Sequence, residues 1–141
     1  MTAGSPRTWA LAAASGFSGV ALFQVALALG APLGAAAWGG AERVLSPEHR
    51  VGSGVAALIL CLSALIVCGR AGLLKRTPGW MRLFRAGTWV LAAQMALNTL
   101  ANLASASPWE RYLMSVLTLT LCVLCLGVTR SPVPPTGGGG R

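Results

Sequence analysis

Charge is what this chain has least of. Its 141 residues include eleven basic side chains, three acidic ones and a single histidine. That is 10% charged, against ~25% in an ordinary soluble domain. A small domain exposes most of its surface and needs charge to stay dispersed, so a soluble globular fold is excluded. Low hydrophobicity, the mark of disorder, is missing as well, because 55% of the residues are apolar. Three carboxylates and one imidazole leave little material for acid–base catalysis or for a metal centre. No catalytic residues, no metal and no cofactor are expected. Strict apolar–polar alternation is absent, which argues against a β-barrel. None of the four cysteines falls in a predicted loop, so a secreted disulfide framework is excluded.

What the sequence does contain is four apolar runs, at about 9–29, 51–74, 86–104 and 112–128. Each has an uncharged stretch of roughly 17–21 residues, enough to cross a ~30 Å hydrocarbon layer as a helix. Helices satisfy their own backbone in lipid, so the expected fold class is all-α, a bundle of four transmembrane helices. It forms one membrane domain over 1–130, followed by a flexible Pro/Gly-rich tail over 131–141. The punctuation agrees. Gly30, Pro32 and Gly34 close the first run, and Ser46-Pro47-Glu48 opens the second with a cap, a helix-starting proline and an acid. Ser107-Pro108-Trp109-Glu110 repeats that start before the fourth. The first run is too long for a signal-peptide core and is expected to be retained.

The basic excess is read against the membrane, not against nucleic acid. With four crossings, one side carries Arg7, Arg70, Lys75, Arg76, Arg82, Arg85, Arg130 and Arg141 and no acid. The other carries Arg43, Arg50 and Arg111 beside Glu42, Glu48 and Glu110. The positive-inside rule then puts both termini in the cytoplasm.

Two helices carry small residues at spacings of three and four: Gly54, Ala57, Cys61, Ala64 and Cys68 on the second, and Ser115, Thr118, Cys122, Cys125 and Thr129 on the fourth. Such stripes let helix backbones approach each other in lipid. Cys122-Val-Leu-Cys125 is similar to the C-x-x-C of the vitamin K epoxide reductase and disulfide-bond-forming oxidoreductase families. Those families need a second pair in an extracytoplasmic loop, which this chain lacks, and a thiol in hydrocarbon is a poor nucleophile. Thiol oxidoreduction is therefore the third-ranked function.

The third helix carries Gln94, Asn98 and Asn102 at successive i+4 steps, within an arc of ~80° together with Ser105. Gln24 is the one amide of the first helix. Amides facing lipid are costly, so this stripe is expected to look inward, as hydrogen-bonding glue or as the wall of a ligand path. Gln24, Gln94, Asn98 and Asn102 are accordingly the candidate ligand-binding residues. The Gly-rich segment from Leu29 to Gly40 is either a lid or an interfacial connector anchored by Trp38.

The run from Leu27 to Gly40, then Val44-Leu45-Ser46-Pro47, Arg50-Val51-Gly52-Ser53, Leu97 to Ser105 and Trp109-Glu110-Arg111 resemble uncharacterised small four-helix bacterial membrane proteins. The resemblance implies a multi-pass protein of the bacterial inner membrane and supplies no activity. The leading expectation is a structural or accessory protein whose partners are the lipid bilayer and a membrane protein or a second copy of itself. The alternative is a binder or conduit for a small neutral or apolar ligand through an amide-lined interior.

Overall fold

A computed structural model describes residues 5–74 and 78–132. Lys75 and Arg76, and the tail beyond Pro132, lie outside the described residues. Among those described, regular structure is entirely helical. Helix α1 spans Pro6–Ala28, α2 Pro47–Arg70, α3 Pro78–Leu103 and α4 Ser115–Arg130. Single 3₁₀ turns at Gly34–Ala36 and Trp38–Gly40 lie between α1 and α2. A wide π-helical segment, Trp109–Met114, runs straight into α4.

The boundaries follow local chemistry. Ser5 caps α1 by accepting from the Thr8 N–H at 3.2 Å, and Pro6 starts the helix. The helix therefore begins before the apolar run does. Helix α2 starts at Pro47 as its Ser-Pro-Glu signature requires, although the Ser46 hydroxyl makes no capping bond. It stops at Arg70 and does not continue to residue 74, because the chain turns at Gly72, whose φ of +79° favours glycine. Helix α3 extends to Pro78, well ahead of the apolar run, by including Arg82 and Arg85.

The helices run up and down, and each packs on its sequence neighbours while α4 closes the ring against α1. The end carrying residues 29–46 is called the upper end below. All four helices feed one core: Ala13 and Phe17 of α1, Val67 of α2, Leu91, Ala92 and Met95 of α3, and Leu121, Cys122 and Cys125 of α4. Outside it the large apolar side chains point away, with Leu22 71%, Leu58 68%, Val90 65%, Leu100 64% and Val116 64% exposed. This inverted distribution suits helices facing hydrocarbon.

Among the described residues, three segments are long and apolar enough to cross a membrane: Pro6–Ala28, Pro47–Arg70 and Trp109–Arg130. This is the signature of a membrane protein. Helix α3 has the length, but Gln94, Asn98 and Asn102 leave it less apolar than its neighbours.

The last carbonyls of a helix have no intrahelical partner. Arginines fill part of this need. Arg50 Nε donates to the carbonyl of Ala28, the last residue of α1, at 2.8 Å. Arg70 Nη2 donates to the carbonyls of Thr129 and Ser131, at 3.2 and 3.1 Å, at the end of α4. Arg111 Nη2 donates to the Ser105 carbonyl at 2.8 Å, just past α3. Cations at these ends also oppose the helix dipole. Arg70, counted from sequence among the basic residues of one side of the membrane, is 4% exposed.

The small-residue stripe of α4 packs as expected, with Ser115, Cys122 and Cys125 buried. That of α2 is rotated by one residue: Ser53, Ala57, Ser63 and Val67 are buried, whereas Cys61 is exposed and Gly54 faces open space. The phase of α2 is set at its ends, where Ser53 accepts from the Trp38 indole at 3.0 Å and Arg70 reaches α4.

A methyl group at Gly127 would sit 2.7 Å from the rigid Trp9 ring, whereas one at Gly54 meets nothing within 4 Å. Alanine gains about 0.5–1 kcal/mol over glycine within a helix, and overpacking costs about 1–3 kcal/mol. Thermal unfolding in one detergent should show Gly54→Ala slightly stabilised and Gly127→Ala destabilised.

Candidate functional site

Where α2 and α3 meet at the lower end they touch closely. A Cβ on Gly69 would lie 2.6 Å from the Phe84 ring, and one on Gly87 3.0 Å from Ile66. Towards the upper end the two helices part, and a cavity of about 550 Å³ opens inside the bundle. That volume falls within the range of small-molecule sites. All four helices line it, and its roof is the segment containing Ala36, Ala37 and Trp38. The exposed members of its wall are Ile59 on α2, Val90, Gln94 and Ala101 on α3, and Trp38. The mouth is therefore a lateral slit between α2 and α3, facing sideways out of the bundle.

Gln24, Gln94, Asn98 and Asn102 all line this cavity. The i+4 register puts the three amides of α3 on one side, and α1 brings Gln24 from across the bundle. Gln94 sits at the rim, exposed, and donates Nε2–H to Asn98 Oδ1 at 3.1 Å. Asn98 is half-buried and accepts this bond from its own helix. Asn102 donates Nδ2–H to Thr118 Oγ1 at 3.5 Å, and Thr99 donates its hydroxyl to the same oxygen at 2.9 Å. Thr99, on the neighbouring face, is thus the tighter α3–α4 tie. The Gln24 Oε1 atom is buried without a hydrogen-bond partner. An unmade bond of this kind costs about 1–3 kcal/mol until a donor is supplied.

The rest of the wall is mainly aliphatic, aromatic and thioether: Val20, Phe23, Leu60, Leu91, Met95, Met114, Leu117 and Leu121. Ser63 adds a hydroxyl, which donates to the Ile59 carbonyl at 2.8 Å. Apolar walls with a few placed polar groups are the usual build of a binding pocket.

Two residues that sequence reasoning left in the connecting segments complete the site. Glu110 is 8% exposed and lines the cavity at its upper end. Its Oε1 accepts from the Gly39 N–H at 3.0 Å and its Oε2 from the Ser105 hydroxyl. It stands in the first turn of the π-helical segment, where the Ser115 N–H reaches back to the Glu110 carbonyl. Its own N–H is 3.4 Å from Ser107 Oγ, the start of a capping box. Trp38 is the other. It is the one non-glycine with positive φ (54°) among the described residues. Its ring stacks on His49 with centroids 5.0 Å apart, and its indole N–H is held by Ser53. A strained backbone and a π-helical turn are each common at functional sites, and here they bound one cavity. The signal available in sequence was Ser-x-x-Glu before an apolar run, which marks a helix start but not a burial.

The 29–46 segment is fastened as a roof. Besides the Gly39 and Trp38 bonds, Ser107 Oγ donates to the Ala35 carbonyl at 2.7 Å. Beside it Glu42 accepts from the Ser46 N–H at 2.8 Å and lies 3.2 Å from His49 Nδ1. The backbone bond above all, then His49, holds the Glu42 carboxyl below its ordinary 4.5.

The four cysteines are free. Cys122 donates its thiol to the Ala92 carbonyl at 3.3 Å, and Cys125 is wholly buried in the core. Neither lines the cavity. No group of metal-ligating side chains occurs among the described residues. Compared with protein-family models, with curated proteins and with solved structures, the chain finds no match.

Two outcomes are expected. Asn98→Leu keeps the branched shape and adds its extra apolar volume against open cavity, so its melting temperature in detergent should equal or exceed that of the wild type. A packed amide seam would instead lose about 1–3 kcal/mol through overpacking and a broken bond. Acidification should act on the roof through Glu42. A carboxyl whose pKa is lowered by folding adds stability above its unfolded value of 4.5, and that stability is lost as pH falls through the lower folded value. The melting-temperature gap between wild type and Glu42→Gln should therefore narrow as pH falls from about 5 to about 3.

Proposed function

We propose that this is a multi-pass protein of the bacterial inner membrane that binds a small, predominantly apolar ligand in the upper half of a four-helix bundle. The observation that carries the reading is the cavity of about 550 Å³, which the four amide positions singled out in sequence share. Its mouth opens sideways between α2 and α3, so in a membrane the ligand enters from the lipid. The amides supply orientation and the aliphatic wall supplies affinity, at about 25 cal/mol per Å² of apolar surface removed from water. The unmatched Gln24 acceptor adds a reason for the site to be filled.

Four crossings with both termini cytoplasmic belong to this proposal. Helix α3 crosses as a member of the bundle, its amides turned to the cavity and to α4. The upper end is then the outer side of the membrane, where Glu42, Glu48 and Glu110 balance Arg43, Arg50 and Arg111. An accessory protein acting through a membrane partner is the second reading, favoured by the largely apolar exterior.

Native mass spectrometry of protein extracted from its membrane tests the choice. The expected spectrum shows a bound small molecule that is lost in Ala56→Trp, which fills the cavity from α2. A spectrum identical in both, with another protein retained, supports the accessory reading instead. For topology, reporter fusions following Gly39 and following Arg141 should read on opposite sides of the membrane, with Arg141 cytoplasmic.

A further inference from the structure

The wall of the cavity holds one formal charge, the carboxylate of Glu110. That side chain is 8% exposed, and its oxygens accept from two neutral donors, the Gly39 N–H and the Ser105 hydroxyl. A carboxylate offers about four acceptor directions, so two donors leave it room for more. No lysine, arginine or histidine bonds to it among the described residues. Arg111, its neighbour in sequence, donates to the Ser105 carbonyl instead. A buried charge facing an apolar cavity is costly when no counter-charge meets it. The Trp38 ring lines the same upper end, and indole is the best aromatic partner for a cation.

The chemistry is ordered along the cavity. Glu110 and Trp38 lie at the top, Asn98 and Asn102 below them on α3, and aliphatic side chains such as Leu60, Leu91 and Leu121 deeper. The slit between α2 and α3 opens beside the amides and the aliphatic stretch, with Ile59 and Val90 on its lips. An amphiphile lying in the membrane has this same order, a polar end near the interface and an apolar body beneath it.

We infer that the ligand is a cationic amphiphile, a lipophilic amine that slides in through the α2–α3 slit and sets its ammonium group against Glu110. The inference rests on the proposed binding function and adds the charge of the ligand to it. An ammonium group brings N–H donors to the open acceptor directions of Glu110, while its chain covers the aliphatic wall. An anionic amphiphile of equal length meets like charge at the top and is rejected. A neutral one gains the wall but leaves Glu110 without a counter-charge.

The experiment titrates the full chain in a non-ionic detergent with dodecylamine, dodecanol and dodecanoate, and reads bound adducts by native mass spectrometry. The wild type should bind dodecylamine at least about tenfold more tightly than dodecanol, the factor expected for one hydrogen bond to a charged group. Dodecanoate should bind most weakly. Glu110→Gln should bring dodecylamine and dodecanol within about twofold of each other, and Glu110→Asp should keep the preference. Ala56→Trp should abolish binding of all three probes. If Glu110→Gln fails to fold, the ratio of amine to alcohol in the wild type decides alone. Equal binding of amine and alcohol, still sensitive to Ala56→Trp, overturns the cationic ligand and leaves the cavity reading standing. Binding that Ala56→Trp does not touch for any probe overturns the cavity reading as well.

Discussion

The upper half of the molecule hangs on the carboxylate of Glu110. One oxygen holds the backbone of Gly39 in the α1–α2 connection, and the other holds Ser105 beyond the end of α3. The residue itself starts the segment that becomes α4. Three parts of the chain that are distant in sequence therefore meet on one side chain. The roof over the cavity stays in place because Glu110 and Ser107 grip it from below, and the Trp38 indole is pinned to Ser53 from the side. A residue with no side-chain acceptor at this position would leave the Gly39 N–H unpaired in a place shielded from water, so this side chain is first an architectural one.

The cavity is a consequence of uneven helix spacing. Glycines let α2 and α3 close on each other at the lower end, through Gly69 under Phe84 and Gly87 against Ile66. Higher up, the facing side chains are Ala56, Ile59 and Ser63 on α2 and the amides on α3. Neither set fills the gap. Helices α3 and α4 instead pair along their hydroxyls, Thr99 on Thr118, and through Cys122 on the Ala92 carbonyl. Bonds of this kind are worth about 0.6–2 kcal/mol each in membranes, enough to hold the pair without closing the slit beside it. Backbone ends are managed separately by arginine, at Ala28, Ser105, Thr129 and Ser131.

Much of this was legible before any coordinates. The all-helical class, the α4 stripe and the common face of the three α3 amides follow from hydropathy and from a period of 3.6 residues, whereas Gln24 stood out only as the one amide of its helix. What escaped was phase and depth. On α2 the small-residue stripe 54–57–61–64–68 and the buried positions Ser53, Ala57, Ser63 and Val67 differ by about one residue in phase, a difference too small for residue sizes alone to choose. The choice depends on Trp38 reaching Ser53 and on Arg70 reaching α4, contacts separated by 15 and 59 residues in the chain. Glu110 and Arg70 entered only the charge balance between the two sides, because charged residues at helix ends are ordinarily exposed and burial leaves no local signal.

Composition and periodicity by themselves determined that this chain forms apolar helices and which of their faces carry amides, because both properties are local and repeat every turn. Tertiary structure alone decided that those amides border a hollow and not a seam, that its mouth is lateral, and that a glutamate from a connecting turn closes its top. Such features depend on how far apart two helices stand and on what a folded-back segment covers. Both arise from contacts between residues tens of positions apart, and no local pattern encodes that distance.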